Sequence, residues 1–358
     1  MNVPKLRFKE FNNLWQNEKL EDAVEFLDEK RKPIKDSDRN NIKGKYPYYG
    51  ASGIIDYIND YIFDEDLLLL GEDGANILSR STKLVFKATG KYWVNNHAHV
   101  LKPKENYNIN FLESYLENIN YESYNTGTAQ PKLNQEVCKK INIKIPSLKE
   151  QEKIGKTLSL LDKKIELQSK KIEDLKLFKS SKYSLVFSKS NNKIKLLDIC
   201  KIEKGKQINS ELLIEKGNYY MLNGGILPSG LLNEYNTNEN TITISEGGNS
   251  CGYVNFNKTK FWCGGHCYKI ISSSVNTSYL YHLLKHNEKT IMDLRVGSGL
   301  PNIQKKDLEA LKLSIHENDE QLKIGILFDT FDKKINLETN KLNKFKELKK
   351  GLMQQMFV

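Results

Sequence analysis

The chain repeats itself. Residues 149–187 align without gaps on residues 319–357, and 14 of the 39 positions are identical. The identities include Gln151/Gln321, Lys153-Ile154-Gly155/Lys323-Ile324-Gly325, Asp162-Lys163-Lys164-Ile165/Asp332-Lys333-Lys334-Ile335 and Phe187/Phe357. A more diverged similarity precedes each copy. Lys91-Tyr92-Trp93 through His97 matches Lys260-Phe261-Trp262 through His266 at an offset of 169, and Gly127, Pro131 and Leu133 match Gly297, Pro301 and Ile303 at 170. The order is head, long helix, head, long helix, with heads at 1–148 and 189–318 and helical regions at 149–188 and 319–358. Two divergent heads on closely similar helices suggest one operation performed twice on two different inputs.

Each helical region carries a heptad seam. Ile154, Leu158, Leu161, Ile165, Ile172 and Leu175 are spaced 4, 3, 4, 7 and 3, and Ile324, Phe328, Phe331, Ile335, Leu342 and Phe345 repeat that spacing. Gln168 and Glu338 interrupt the two seams at equivalent places. Antiparallel pairing with residue numbers summing to about 506 sets Leu158 opposite Leu348, Leu161 opposite Phe345, Ile172 near Ile335, Leu175 opposite Phe331, and Gln168 opposite Glu338. This predicts an intramolecular antiparallel coiled coil whose central polar pair fixes register. Separate packing of each helix on its own head is the alternative. At about 1.5 Å per residue such a helix is about 58 Å long. With about 3.4 Å per base pair, two heads at its ends would stand more than one turn of a DNA duplex apart.

The heads read as mixed helix and strand, so the expected class is α+β, with two mixed α/β globular domains and a pseudo-twofold internal repeat. Strand candidates are Asp66–Gly71, Thr82–Ala88 and Ala98–Lys102 in the first head, and Thr241–Glu246, Gly252–Asn257 and Tyr268–Ser272 in the second. Helix candidates are Leu20–Arg31, Asn110–Asn120 and Ser278–Glu288. Gly-rich loops at 71–76 and 245–250 occupy corresponding places.

A net charge of +10 is compatible with nucleic acid. Its distribution is uneven: zero over 1–148, +4 over 149–188, +4 over 189–318 and +2 over 319–358. DNA contact in the first head therefore needs a local patch. No run approaches a membrane span, and the polar N-terminus lacks a signal-peptide core. Five cysteines, an odd and sparse set, fit a reducing cytoplasm.

Base reading in the major groove needs Arg, Lys, Asn, Gln, Ser and Thr on a rigid frame, and phosphate anchoring needs Lys, Arg and backbone amides. Candidates in the first head are Lys43, Lys45, Tyr46, Tyr48, Tyr49, Ser52, Asn76, Arg80, Thr126, Thr128, Gln130 and Lys132. In the second they are Lys204, Lys206, Asn223, Asn249, Arg295, Ser298 and Asn302. For each, a solvated loop residue is the plainer reading, and the tyrosines could simply cover a core.

Catalytic and metal motifs are weak. Cys263-Gly264-Gly265-His266-Cys267 suggests zinc, but Cys263 and Cys267 align with Val94 and Ala98, so the thiols read as small buried side chains and no metal site is expected. His97 and His99 alternate on a strand without a third ligand. Gly247 and Gly252 have P-loop spacing with Tyr253 where the lysine belongs. The Glu72-Asp73 pair aligns with Glu246-Gly247 and reads as a loop.

The stretches Met1 through Leu20, Tyr46-Pro47-Tyr48-Tyr49-Gly50-Ala51-Ser52-Gly53 and Gly127-Thr128-Ala129-Gln130-Pro131-Lys132-Leu133-Asn134 resemble the DNA specificity subunit of type I restriction–modification systems. So do Ile145-Pro146-Ser147-Leu148-Lys149-Glu150-Gln151 and the ending Lys349-Lys350-Gly351-Leu352-Met353-Gln354-Gln355-Met356-Phe357. The second head departs from it, with Tyr219-Tyr220-Met221-Leu222-Asn223-Gly224-Gly225 in place of the Tyr-Gly-Ala-Ser-Gly run. The resemblance implies two target-recognition domains, each reading half of a split site in double-stranded DNA. It implies two methyltransferase subunits docked on the helices, with restriction subunits joining them. It implies a non-catalytic chain that binds no cofactor itself, with S-adenosylmethionine, ATP and Mg on partner subunits. A tandem-repeat scaffold binding only proteins, and a nuclease with an acidic site, are the other functional classes open to this sequence.

Overall fold

The computed structural model describes residues 3–188, 192–297 and 301–357. They form two compact units, Met1–Ser169 with Asn340–Val358, and Lys170–Thr339. The division falls inside both long helices, Leu148–Phe187 and Asn318–Met356, rather than where helix meets head. Packing explains this. Ile154 and Leu158 share the first core with Met356 and Phe357, whereas Phe187 shares the second with Ile324 and Phe328. Each unit is one head bound to a half of each long helix. No helix among the described residues is long and apolar enough to cross a membrane.

The strands of the first unit are β1 (Gln16–Lys19), β2 (Val24–Phe26), β3 (Lys43–Gly50), β4 (Gly53–Ile58), β5 (Phe63–Asp64), β6 (Leu67–Gly71), β7 (Val85–Ala88), β8 (Lys91–Val94), β9 (Ala98–Pro103) and β10 (Asn142–Ile145). They make sheets ordered β2-β9-β6-β7, β4-β3-β8-β5 and β1-β10. Strand β6 shows why the head has two cores. Leu68 and Leu70 enter one core and Leu67 and Leu69 the other, because alternate side chains leave a strand on opposite faces.

The second unit holds β11 (Asn192–Lys195), β12 (Cys200–Lys204), β13 (Tyr219–Leu222), β14 (Gly230–Leu232), β15 (Thr241–Ser245), β16 (Val254–Asn257), β17 (Trp262–Cys263), β18 (Cys267–Ser273) and β19 (Lys312–Ile315). Its sheets are ordered β12-β18-β15-β16, β14-β13-β17 and β11-β19. Strand for strand this reproduces the first head, including the parallel pairs β3–β8 and β13–β17. Only β5 lacks a counterpart among the described residues. The expected helix Leu20–Arg31 is instead a turn of helix at Leu20–Ala23, strand β2 and a 3-10 turn at Asp28–Lys30. Pairing of β2 with β9 overrides the helical pattern there.

The repeated residues have definite tasks. Gln151 is buried; its side-chain oxygen accepts from the Asn108 amide (2.9 Å) and its nitrogen donates to the Pro146 carbonyl (2.9 Å). Gln321 donates likewise to the His316 carbonyl (3.0 Å). Asn108 and Asn276 cap the head helices Ile109–Asn118 and Thr277–His286. Gly155 and Gly325 lie against those caps. A Cβ on Gly155 would come within 2.7 Å of the Phe111 amide nitrogen, and one on Gly325 within 3.1 Å of that of Tyr279.

Within each unit the long helices pair antiparallel. Asp162 binds Lys349 (2.6 Å) in the first, and the residues 170 positions away, Asp332 and Lys179, bind each other (2.5 Å) in the second. The register differs from that expected. Partner numbers sum to 511 in both ion pairs and in the Tyr183–Phe328 stack, and to 509 for Phe178–Phe331, not 506. Leu348 consequently points to solvent at 53% exposure, and Glu338, 6% exposed, pairs with Lys171 at 2.7 Å. Ion pairs flanking the seam set the alignment. The seam positions Leu158, Leu161, Ile172, Phe328 and Glu338 are buried, and Ile165, Gln168, Leu175, Phe331, Ile335, Leu342 and Phe345 half-buried.

Gly155→Ala should cost about 1–3 kcal/mol, because backbone stands in the way of the new methyl. Gly351→Ala, in the second long helix with nothing within 4 Å, should instead stabilise by about 0.5–1 kcal/mol. Denaturant unfolding of the two variants measures both signs.

Candidate nucleic-acid interface

Five segments of the first head meet at one corner. The Glu72 amide donates to the His97 carbonyl (2.9 Å), Gly74 to Pro131 (3.0 Å), Leu133 to Glu72 (2.7 Å) and Lys32 to Val94 (3.3 Å). The Trp93 indole closes the set by donating to the Lys32 carbonyl (2.6 Å). The β3–β4 turn joins them, since the Ala51 carbonyl lies only 2.6 Å from where a Cβ on Gly71 would stand.

The second head builds the same corner from equivalent bonds. Glu246 donates to His266 (2.9 Å), Gly248 to Pro301 (3.0 Å), Ile303 to Glu246 (2.8 Å) and Lys206 to Cys263 (2.9 Å). The Trp262 indole donates to the Lys206 carbonyl (2.8 Å). Backbone groups and one indole per head thus make a fixed frame, whose outward side chains are free to differ.

They do differ. Beyond a neck in the first head, Thr128 and Gln130 project from the 125–132 loop and are exposed. The Asn125 side-chain oxygen Oδ1 holds that neck by accepting from the amides of Gly127 (3.0 Å) and Lys132 (2.9 Å). Gly127 is required, because a Cβ there would meet the Gln130 carbonyl at 1.8 Å. Thr126 spends its hydroxyl on the Lys132 carbonyl (3.1 Å). Lys132 reaches Glu72 (3.3 Å) and remains half-exposed, and Ser52 is exposed at the β3–β4 turn. In the second head Lys206, Asn249 and Arg295 are exposed, while Lys204 pairs with Glu246 (2.6 Å). Asn302 joins Val296 and Gly247 through its backbone, and Ser298 lies outside the described residues.

Several of the expected contact residues are engaged within the head. Tyr48 is 1% exposed; its hydroxyl accepts from the Ile34 amide and its ring lies under Arg39. Tyr49 packs between Phe86 and Tyr92, where burial pushes its phenol up. Asn76 spends its side chain on residues 81–83, accepting from Thr82 (2.9 Å) and donating to its carbonyl (3.2 Å). Arg80 pairs with Glu117 (2.8 Å) on a groove of about 660 Å³ that Lys83, Asp162 and Lys349 also line, away from the corner. Asn223 accepts from the His266 amide (3.1 Å). Lys43 pairs with Asp56 (2.6 Å), Lys45 lies over the Tyr46 ring, and Tyr46 packs against Tyr61, on the β3–β4 hairpin and its flank. The sequence reading missed Lys32, Asn96 and His97, exposed beside the frame; the Trp93/Trp262 match was the signal for them.

Beneath the first corner, Asp28, Glu72 and His99 bring potential ligand atoms within 4.8 Å of one another. Their partners give them a different role. His99 bonds through Nδ1 to Asp28 (2.6 Å) and through Nε2 to the Leu133 carbonyl (2.8 Å). Both partners are acceptors, so the ring carries both protons and has no lone pair for a metal. The Arg31 guanidinium reaches Glu72 (2.7 Å) and Asp28 (3.3 Å) and supplies further positive charge. Burial is the largest single influence and disfavours the His99 cation, but the hydrogen bonds to the ring and the charge of Asp28 together outweigh it and raise the pKa to about 10. Burial likewise raises Asp28, and the hydrogen bond and charge of His99, the Val100 amide and the Arg31 charge together more than offset it, leaving Asp28 lowered. In the second head a phenol does this work: Tyr268 donates to the Ile303 carbonyl (2.9 Å), its pKa pushed up to about 12 by burial and by Glu246. The thiols of Cys263 and Cys267 are buried, the latter accepting from the Gly224 amide (3.1 Å).

His99 therefore stabilises the first head fully below its unfolded pKa of 6.5, and that contribution is lost as pH rises through about 10. Asp28 contributes above its unfolded value of 3.8 and loses it as pH falls through the lowered one. Amide exchange at β2 and β9 should accelerate from about pH 7 to about pH 10 beyond the intrinsic rise, with β12 and β18 unaffected. His99→Gln should remove that slope and cost about 3 kcal/mol, leaving Asp28 with only the longer contact to Arg31 as its cation.

The model of the type I restriction modification DNA specificity domain matches residues 12–177 and again 189–347. A putative type I restriction enzyme specificity subunit of Haemophilus influenzae is 37% identical over 142 residues, covering 40% of this chain and 36% of its own length. A putative type I specificity subunit of Mycoplasma pneumoniae is 35% identical over 138 residues, 37% of this chain and 36% of its own. The matched stretch thus spans about a third of these relatives. The crystal structure of a type I restriction–modification S subunit from M. genitalium shares the fold, with TM-score 0.78 at 19% identity over 99% of both chains. With two copies of the domain along its length, the chain belongs to the type I restriction modification DNA specificity family.

Proposed function

We propose that this chain is the sequence-reading, non-catalytic subunit of a type I restriction–modification complex. Each head grips one half of an asymmetric bipartite site in double-stranded DNA. The paired helices carry two methyltransferase subunits and, for cleavage, restriction subunits. S-adenosylmethionine, ATP and Mg act on those partners, which methylate one adenine per half-site after flipping it from the stack. Five buried free cysteines accord with a reducing cytoplasm.

The observation that carries this reading is the doubled corner: one hydrogen-bonded frame built twice, presenting Ser52, Thr128, Gln130 and Lys132 in one head and Lys206, Asn249 and Arg295 in the other. Rigid backbone with exchangeable polar and basic side chains is what direct reading of base edges asks for. Docking has its own support. Leu160 and Leu167, seven residues apart on the first long helix, are 53% and 57% exposed, and Leu337, identical to Leu167 in the repeat, is 54% exposed on the second.

The full chain, co-purified with the methyltransferase of its host, should enrich one bipartite motif from a random duplex library. Absence of any enriched sequence overturns the reading. Arg295→Ala should relax base preference in one half only, costing about 1–3 kcal/mol for a bidentate base contact. Equal weakening on all sequences would assign Arg295 to phosphate. Leu167→Lys with Leu337→Lys should abolish co-purification of the methyltransferase while thermal unfolding of the chain stays unchanged.

A further inference from the structure

The hairpins beside the two corners are apolar. In the first head, the chain turns at Ala51-Ser52-Gly53, with Gly53 at φ 122°, and β4 then displays Ile54, Ile55 and Tyr57 at 45%, 53% and 49% exposure. In the second, the β13–β14 connection displays Ile226 at 53% and Leu227 at 77%, the most exposed large apolar side chain among the described residues. The two hairpins share no sequence here, yet both leave aliphatic groups in solvent. The first group lies on the edge strand β4 and the second on the connection that leads into the edge strand β14. An exposed apolar edge invites aggregation unless something covers it.

Their position names the cover. The Ala51 carbonyl abuts Gly71 of the first frame. The Gly224 carbonyl accepts from Ser245, and a Cβ on Gly224 would meet the His266 carbonyl at 3.0 Å in the second. The apolar tips are therefore continuous with the polar and basic loops that face DNA. The apolar group that a duplex presents in its major groove is the 5-methyl of thymine.

We propose that Ile55 in the first head and Leu227 in the second read thymine 5-methyl groups, the non-polar complement to the hydrogen-bonding loops. This rests on the DNA-reading function proposed above. A cytosine carries hydrogen at the same ring position, so the contact separates T from C where an exposed aliphatic can form no hydrogen bond. A half-site holding a target adenine always holds its paired thymine, so each head has at least one such methyl within its half.

The test uses the full chain with its methyltransferase and the duplex selected from the library, each thymine replaced in turn by deoxyuridine. At one thymine in each half-site, affinity should fall about fourfold, the equivalent of ~0.8 kcal/mol for one buried methyl at 1.4 kcal/mol per tenfold. Leu227→Ser should bind the thymine and deoxyuridine duplexes equally in the second head's half, and Ile55→Ser should do so in the first's. Both side chains are exposed, and unchanged thermal unfolding of each variant confirms that the fold is intact. Indifference to deoxyuridine at every thymine, while the intact duplex still binds, overturns the methyl contact alone. So does a Leu227→Ser variant that weakens thymine and deoxyuridine duplexes alike and keeps the wild-type sensitivity to the replacement. Failure of the wild-type chain to prefer any duplex sinks the DNA-reading function itself.

Discussion

A long helix in this molecule meets its head where a buried glutamine amide and a glycine lie against the capped start of the head helix. Gln151 takes the Asn108 amide and the Pro146 carbonyl at once, and Gly155 leaves room for the cap to approach. No side chain larger than glycine fits that approach without moving backbone. Gln321 and Gly325 make the corresponding joint in the second unit. With the joint fixed, the heptad seam has a defined starting phase, and the ion pairs Asp162–Lys349 and Asp332–Lys179 complete the alignment.

The repeat made the architecture legible before any coordinates, because identical residues at matching offsets imply identical joints. The heptad spacing correctly marked which residues of the long helices turn inward. It did not set the stagger, since one-turn slips of an antiparallel pair keep apolar opposite apolar. The charged flanks decide between them, and Leu348 lost its place in the seam for that reason. The helix expected at Leu20–Arg31 failed because its apolar residues serve a strand edge instead.

The corner of each head was legible as a region but not residue by residue. Loop 71–76 meets residues 131–133 within the first head, and loop 245–250 meets residues 301–303 within the second, through backbone hydrogen bonds that no side-chain pattern announces. Composition cannot tell a polar side chain that faces outward from one that ties a turn. Asn76 and Asn223 tie turns, Arg80 pairs with Glu117 of the head helix, and Tyr48 fills a core, although each belongs to a type suited to DNA. His99 shows the same limit in another way: its strand position, without a third ligand, assigned it no role, and its two acceptor partners make it a buried cation that Tyr268 replaces with a neutral hydroxyl.

The neck at Gly127 separates what must stay constant from what can drift. Asn125 and the glycine clamp the loop from below, and Thr128, Ala129 and Gln130 contribute nothing to that clamp. Those three positions can accumulate changes at almost no thermodynamic penalty, so new preferences can be sampled by natural drift or by randomised libraries on an unaltered scaffold.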